Sequence, residues 1–153
     1  MMQHLKILNS KEQKNIRKLL KEEFGFEETL EYVFLINNKQ RVYIINRDIE
    51  RVDLETLRID AMGLYFGTLE GGGLRLSIEG SQIIGPKANK NILEINDKQF
   101  ELWLKGVDFE IETTLLGFVL VKYEKEFVGC GRIKNDVLMN FVPKARRLTV
   151  VNK

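Results

Sequence analysis

The sequence predicts an α+β fold, with an N-terminal α/β-hairpin subdomain over residues 1–56 packed on a C-terminal β-domain over residues 57–153. Three observations predict it. Ile16, Leu19, Leu20 and Phe24 recur at helical spacing near the N-terminus. Runs of β-branched and aromatic residues flank polar turns over 32–45, and again over 118–141. No Pro/Gly/Ser-rich tract separates the halves, so the boundary near residue 56 is soft.

The first helix opens at Asn9 or Ser10, with Gln13 in the capping-box position relative to Ser10. Gly25 stands where a helix stop belongs. Its outer face carries Lys11, Lys14, Arg17, Lys18 and Lys21, and a solvated face is preferred there over RNA contact. Tyr32 to Ile36 and Arg41 to Ile45 read as a hairpin around Asn37–Gln40. A short helix over Asp48–Leu54 and a strand over Leu57–Asp60 are expected next. Gly71-Gly72-Gly73 is either a plain hairpin loop or a loop that lets a phosphate approach main-chain N–H groups. It is not a Walker loop, because no Lys-Ser or Lys-Thr follows it. Periodicity leaves residues 74–84 open between helix and strand. Ile92–Ile95 reads as a strand, and Asn96 or Asp97 caps a helix through Phe100, Leu102, Trp103 and Leu104 that ends at Gly106. The lone tryptophan is read as a core anchor rather than a base-stacking platform.

The stretch from Gly117 to Leu148 organises the rest. Phe118–Val121 is a strand, Glu124–Glu126 a charged turn, and Phe127–Ile133 a second strand. Gly129 and Gly131 in that strand suggest a bulge or a close backbone approach. Asn135-Asp136 turns the chain into a third strand, Val137 to Phe141. Pro143 then fixes the backbone ahead of a cationic cluster, Lys144, Arg146 and Arg147. Arginine is the side chain whose planar fork matches phosphate and guanine edges, so this tip is a candidate RNA contact, together with Arg132, Lys134 and Arg75 near the glycine loop. The competing readings leave these cations solvated, or paired with the acidic block of residues 94–112.

Gly117, Phe118, Val119, Leu120, Val121, Gly129, Gly131, Arg132, Asn140, Pro143, Lys144, Arg146 and Arg147 match the tail pattern of a known family. The segment resembles the C-terminal PUA-like domain of the Nop/Sun/Fmu family of RNA 5-methylcytosine methyltransferases. The stretches Met62–Gly67 and Leu74–Ser77, and Trp103-Leu104-Lys105-Gly106, are also similar to that domain. The resemblance implies a small PUA-like β-barrel in a stand-alone form. It implies an RNA-binding accessory role in rRNA or tRNA processing and modification (ribosome biogenesis), beside a separately encoded methyltransferase or another biogenesis factor. Arg132, Asn140, Lys144, Arg146 and Arg147 are the positions onto which that role carries over. The family's Pro-Cys and Thr-Cys catalytic motifs are missing and 153 residues are too few for its methyltransferase domain, so methyl transfer does not carry over.

Composition narrows the alternatives. With 44% hydrophobic and 30% charged residues, a packed core under an ionised surface is expected. One cysteine, Cys130, and one histidine, His4, supply neither a disulfide nor a Cys-based zinc site, and no metal or cofactor is expected. Cys130 has no other imidazole to activate it, and no carboxylate pair stands out as acid and base, so the expectation is a non-enzyme. The start lacks a signal-peptide core and no apolar run reaches a membrane span, so a cytoplasmic protein without membrane contact is expected. The leading reading is binding of structured RNA by shape and phosphate, since no aromatic RNP-type motif is present to stack splayed bases. The alternative is a protein-interaction module that docks an RNA-modifying enzyme without touching RNA.

Overall fold

The computed structural model describes residues 5–46 and 63–147. The helix expected over 48–54, the strand over 57–60, the boundary residue 56, Met62, His4 and Leu148 lie outside the described residues. The fold is mixed α+β, with two five-stranded sheets, the second forming a β-domain at the C-terminal side.

The first sheet is an antiparallel meander in chain order: β1 (Lys6–Ile7), β2 (Tyr32–Ile36), β3 (Arg41–Asn46), β4 (Leu64–Glu70) and β5 (Gly73–Leu76). Against it packs α1 (Ser10–Phe24), whose Ile16, Leu20 and Phe24 are buried as their spacing predicts. The cap is Asn9, and its box partner is Glu12 rather than the Ser10–Gln13 pair. The Asn9 side chain accepts from Glu12 N at 2.8 Å, and Glu12 returns the bond to Asn9 N at 3.1 Å. Gly25 ends the helix in the left-handed region at φ 65°, where a Cβ is disfavoured. Gly71-Gly72 form the β4–β5 hairpin turn, so Arg75 stands within β5 and not in a loop. The undecided stretch resolves into β5 followed by α2 (Ile78–Ile84), with Ser77 capping Gly80 N at 2.9 Å.

The second sheet runs β6-β8-β9-β10-β7 and curls as a half-barrel. Its strands are β6 (Ile92–Ile95), β7 (Phe109–Glu110), β8 (Gly117–Tyr123), β9 (Glu126–Lys134) and β10 (Val137–Met139). The β6–β8 pair is parallel, with α3 (Asp97–Leu104) lying between them in sequence. Asn96 and Gln99 form the capping box that starts α3, with bonds of 2.8 and 2.9 Å. The expected bulge is present: the β8–β9 register shifts between Val121 and Lys122, next to Gly129 at φ 145°. Asn135 and Asp136 both take positive φ, 53° and 61°, the conformation a two-residue hairpin turn requires. β10 stops at Met139, short of the expected Phe141, because Asn140 N donates to Asp108 Oδ1 at 2.7 Å instead of to a strand.

A small apolar cluster buries Val33, Leu35 and Ile45, with Leu5 against it, on the outer face of the first sheet, and two larger ones hold these layers. One surrounds Trp103 with Leu93, Ile95, Val119, Val121, Ile133, Leu138 and Val142. Trp103 is 1% exposed and its Nε1 donates to Val128 O at 3.0 Å, which makes it the expected core anchor. The other joins α1 and the first sheet to Leu120, Phe127 and Cys130 of the second, so the two sheets share one seam. Burying each large apolar side chain here contributes roughly 1.5–3 kcal/mol.

Candidate nucleic-acid interface

The chain that leaves β10 is built to stand still. Asn140 directs its amide inward, where Nδ2 donates to Trp103 O at 2.9 Å and to Val107 O at 3.4 Å, while Oδ1 accepts from Val142 N at 2.8 Å. Pro143, at φ −59°, leads into a 3-10 turn over Lys144–Arg146. Arg147 folds back, its Nε donating to Val142 O at 2.9 Å. Gly106 makes that return possible, because a Cβ at residue 106 would run into the Arg147 guanidinium. Arg146 is ion-paired with Glu79 at the start of α2. The acidic block of residues 94–112 therefore does not take Arg146; its Asp97 instead accepts from the Tyr123 hydroxyl at 2.7 Å.

The other cations come from β5 and β9. Arg75 is held at 2.8 Å by Glu70, and its guanidinium lies 4.4 Å over the Phe141 ring. Arg132 sits in register with Phe118 on β8 and Met139 on β10, so the three share a sheet face, and its guanidinium is 5.7 Å from the Phe118 ring centre. Lys134 ends β9 and is exposed, as is Lys144.

Arg75 and Arg146 line one crevice at the seam, with Tyr65, Ser77, Phe141 and Pro143. Its volume, about 50 Å³, holds a water or two and not a nucleobase. A large partner must therefore be engaged from the rim. Of the residues singled out in the sequence, the structure brings Arg75 and Arg146 together and fixes Arg147 beside them. It places Arg132 on an aromatic face and turns the Asn140 side chain to an internal, positioning role. Glu79, Phe141 and Tyr65 were not legible as parts of this site, since nothing in a linear pattern links them to the tip.

Nucleophilic chemistry finds no support at the seam. Cys130 is buried, and burial pushes its thiol up to about 12, so it stays protonated. Among the described residues no group of three or more His, Cys, Asp or Glu side chains could hold a metal. No described helix is long and apolar enough to cross a membrane.

Residues 90–148 match the family model of the methyltransferase RsmF PUA domain. Over this segment the chain is similar to the PUA-like domain of Sun/Fmu-type methyltransferases. Comparison with curated proteins returns no match. The PUA-like domain takes in β6 to β10, α3 and the basic turn, whereas Arg75 and Glu79 precede it in the chain. The seam thus sets elements outside the PUA-like domain against its basic tip.

Proposed function

We propose that this protein binds structured RNA through the basic tip of its PUA-like domain, as a non-catalytic factor in rRNA or tRNA processing and modification. A PUA domain of this family suggests RNA binding in an RNA-methyltransferase setting. The observation that carries the finer reading is the fixation of Lys144, Arg146 and Arg147 by Pro143, the Arg147–Val142 bond and the Asn140 scaffold. Cations held in place lose little freedom when they meet phosphates, and each phosphate neutralised adds salt-dependent affinity. Arg132, Lys134 and Arg75 extend the same reading to neighbouring strands, and Asn140 acts by positioning. The partner of such a factor is structured RNA, with a separately encoded methyltransferase or biogenesis factor acting on it, in the cytoplasm and away from membranes.

We further propose that residues ahead of the PUA-like domain form a separate unit that buttresses the tip. The boundary of that unit is expected near residue 56, and β4 and β5, which follow it, complete the first sheet.

The test is equilibrium binding of labelled tRNA and rRNA fragments to wild type and to the variant Lys144→Glu, Arg146→Glu, Arg147→Glu. Binding that weakens at least tenfold in a folded variant supports the tip. Equal binding by the two proteins overturns it and directs attention to protein partners.

A further inference from the structure

Arg75 and Arg146 reach the seam crevice from different parts of the chain, one from β5 and the other from the turn after β10. Each guanidinium is aimed by a single carboxylate. Glu70 Oε2 accepts from Arg75 Nε at 2.8 Å, and the Phe141 ring centre lies 4.4 Å from the same guanidinium. Glu79 Oε1 accepts from Arg146 Nη1. An arginine carries five N–H donors in a planar fork. Among the described residues no further hydrogen bond engages either fork. The Nη edge of Arg75 and most of the Arg146 fork therefore keep their donors for a ligand.

The crevice decides what such a ligand is. Buried Leu76, Trp103 and Cys130 close it from within, and its volume is about 50 Å³. A phosphodiester inside an RNA chain carries a ribose on either side, too bulky for this space. A terminal phosphate carries one ribose, on its outer side, and turns three oxygens inward. Such a monoester bears about −1.5 to −2 charge near pH 7, against a single negative charge for a diester. Arginine forks bind it bidentately. Lys144 and Arg147, in and just after the same turn as Arg146, keep the surroundings cationic despite Glu70 and Glu79. Pro143 and Arg146 belong both to the tip and to the crevice wall, so an RNA lying on the tip can end there.

We propose that the seam crevice is a seat for the terminal phosphate monoester of an RNA chain, clamped between Arg75 and Arg146. This rests on the RNA-binding reading of the tip and deepens it: the tip takes internal phosphates from the rim, and the seam takes the end of the chain. Because Arg75 precedes the PUA-like domain, the seat is assembled only where the first sheet meets the tip.

The test uses one labelled RNA hairpin in three forms: with a 5′-phosphate, with a 3′-phosphate, and with hydroxyls at both ends. At least one phosphate-ended form is expected to bind wild type about tenfold tighter than the hydroxyl-ended form. Which form gains tells which end of the chain the seat takes. Arg75→Gln is expected to weaken all three forms and to bring that ratio below about twofold. Arg75→Lys, which keeps the charge and loses the fork, is expected to restore the ratio only in part. Equal binding of the three forms by wild type overturns the seat and leaves the tip standing. A tenfold ratio that survives in folded Arg75→Gln overturns it as well. Binding confined to phosphate-ended hairpins removes the tip as a surface for internal phosphates and keeps the seat. Should the Arg75 variants fail to fold, the phosphorus resonance of the monoester in the wild-type complex decides. It shifts, and titrates at lower pH than in free RNA, if the phosphate is seated between the arginines. It keeps its free-RNA position at saturation if it is not.

Discussion

The outer face of α1 and the turn after β10 are both rich in cations, and they hold them differently. On α1, Lys18 approaches Glu22 at 4.0 Å and Lys21 approaches Glu27 at 3.3 Å, with every one of these side chains more than half exposed. Such pairs contribute on the order of 0–1 kcal/mol and leave the lysines mobile. After β10, Arg146 is paired with Glu79 and Arg147 is bonded to a main-chain carbonyl, on a loop that Asn140 and Pro143 set in place. Composition counts charges, but backbone support decides which of them can serve as a site. The inward side of α1 adds to the contrast. Glu23 accepts from Leu74 N at 3.2 Å through both oxygens and ties the helix to β5, so α1 serves the site by anchoring.

The largest effect is expected where the tip meets its scaffold. Asn140→Ala removes partners from Val142 N, Trp103 O and Val107 O and should lower stability by about 2–3 kcal/mol, read by urea unfolding. It should also weaken RNA binding although every cation remains. Unchanged stability would mean that the turn is not held from within.

The α1 anchor comes next. Burial raises the Glu23 carboxyl to about 7, against the lowering influence of the Leu74 N–H and with help from the charge on Glu22. The folded protein therefore holds a proton that the unfolded chain releases near pH 4.5, and stability should fall as pH rises from about 4.5 to 7. Glu23→Gln keeps an acceptor for Leu74 N and removes that charge. It should gain about 1–2 kcal/mol over wild type at pH 8, after allowance for solvent, and little at pH 4. A thermal melt series across this pH range checks both ends, and a parallel pH profile for the two proteins would sink the assignment.

Glu79→Gln probes the tip from the other side, because it frees Arg146 for phosphate without adding a charge. An increase in RNA affinity of about two- to fivefold is expected by fluorescence anisotropy at low salt. A decrease would show that Glu79 is needed to aim Arg146. The smallest effect is expected on α1, where Lys14→Glu with Lys18→Glu should change RNA affinity less than about threefold. A loss as large as that of the tip variant would erase the distinction between the two regions.

Much of this is legible in the sequence. The helical spacing of Ile16, Leu20 and Phe24, the Asn37–Gln40 turn, the Asn135-Asp136 turn and the bulge at Gly129 are local signals, and each appears where its residues put it. The sequence pattern sets the capping box of α1 one residue late, because Asn9 and Ser10 are both good caps and the choice depends on which side chain reaches back. The tip residues are legible as a cluster, but the inward turn of Asn140 is not, since its partners on α3 and in the loop after it are distant in sequence. Arg75 falls in the stretch that periodicity leaves open between helix and strand, and it joins β5 once Gly71-Gly72 make the turn. The Arg75–Phe141 contact is invisible for the same reason as the Arg146–Glu79 pair: both are products of seam assembly rather than of any local pattern.

Whether the fixed tip is the phosphate-binding surface is decided by the salt dependence of binding to a structured RNA fragment, measured for wild type, the tip variant and the α1 variant. The slope of log affinity against log salt should shrink by about two to three in the tip variant, roughly one for each phosphate no longer neutralised, and stay unchanged in the α1 variant. Equal slopes for wild type and tip variant would refute the tip, and would place the phosphate-binding cations of this protein elsewhere.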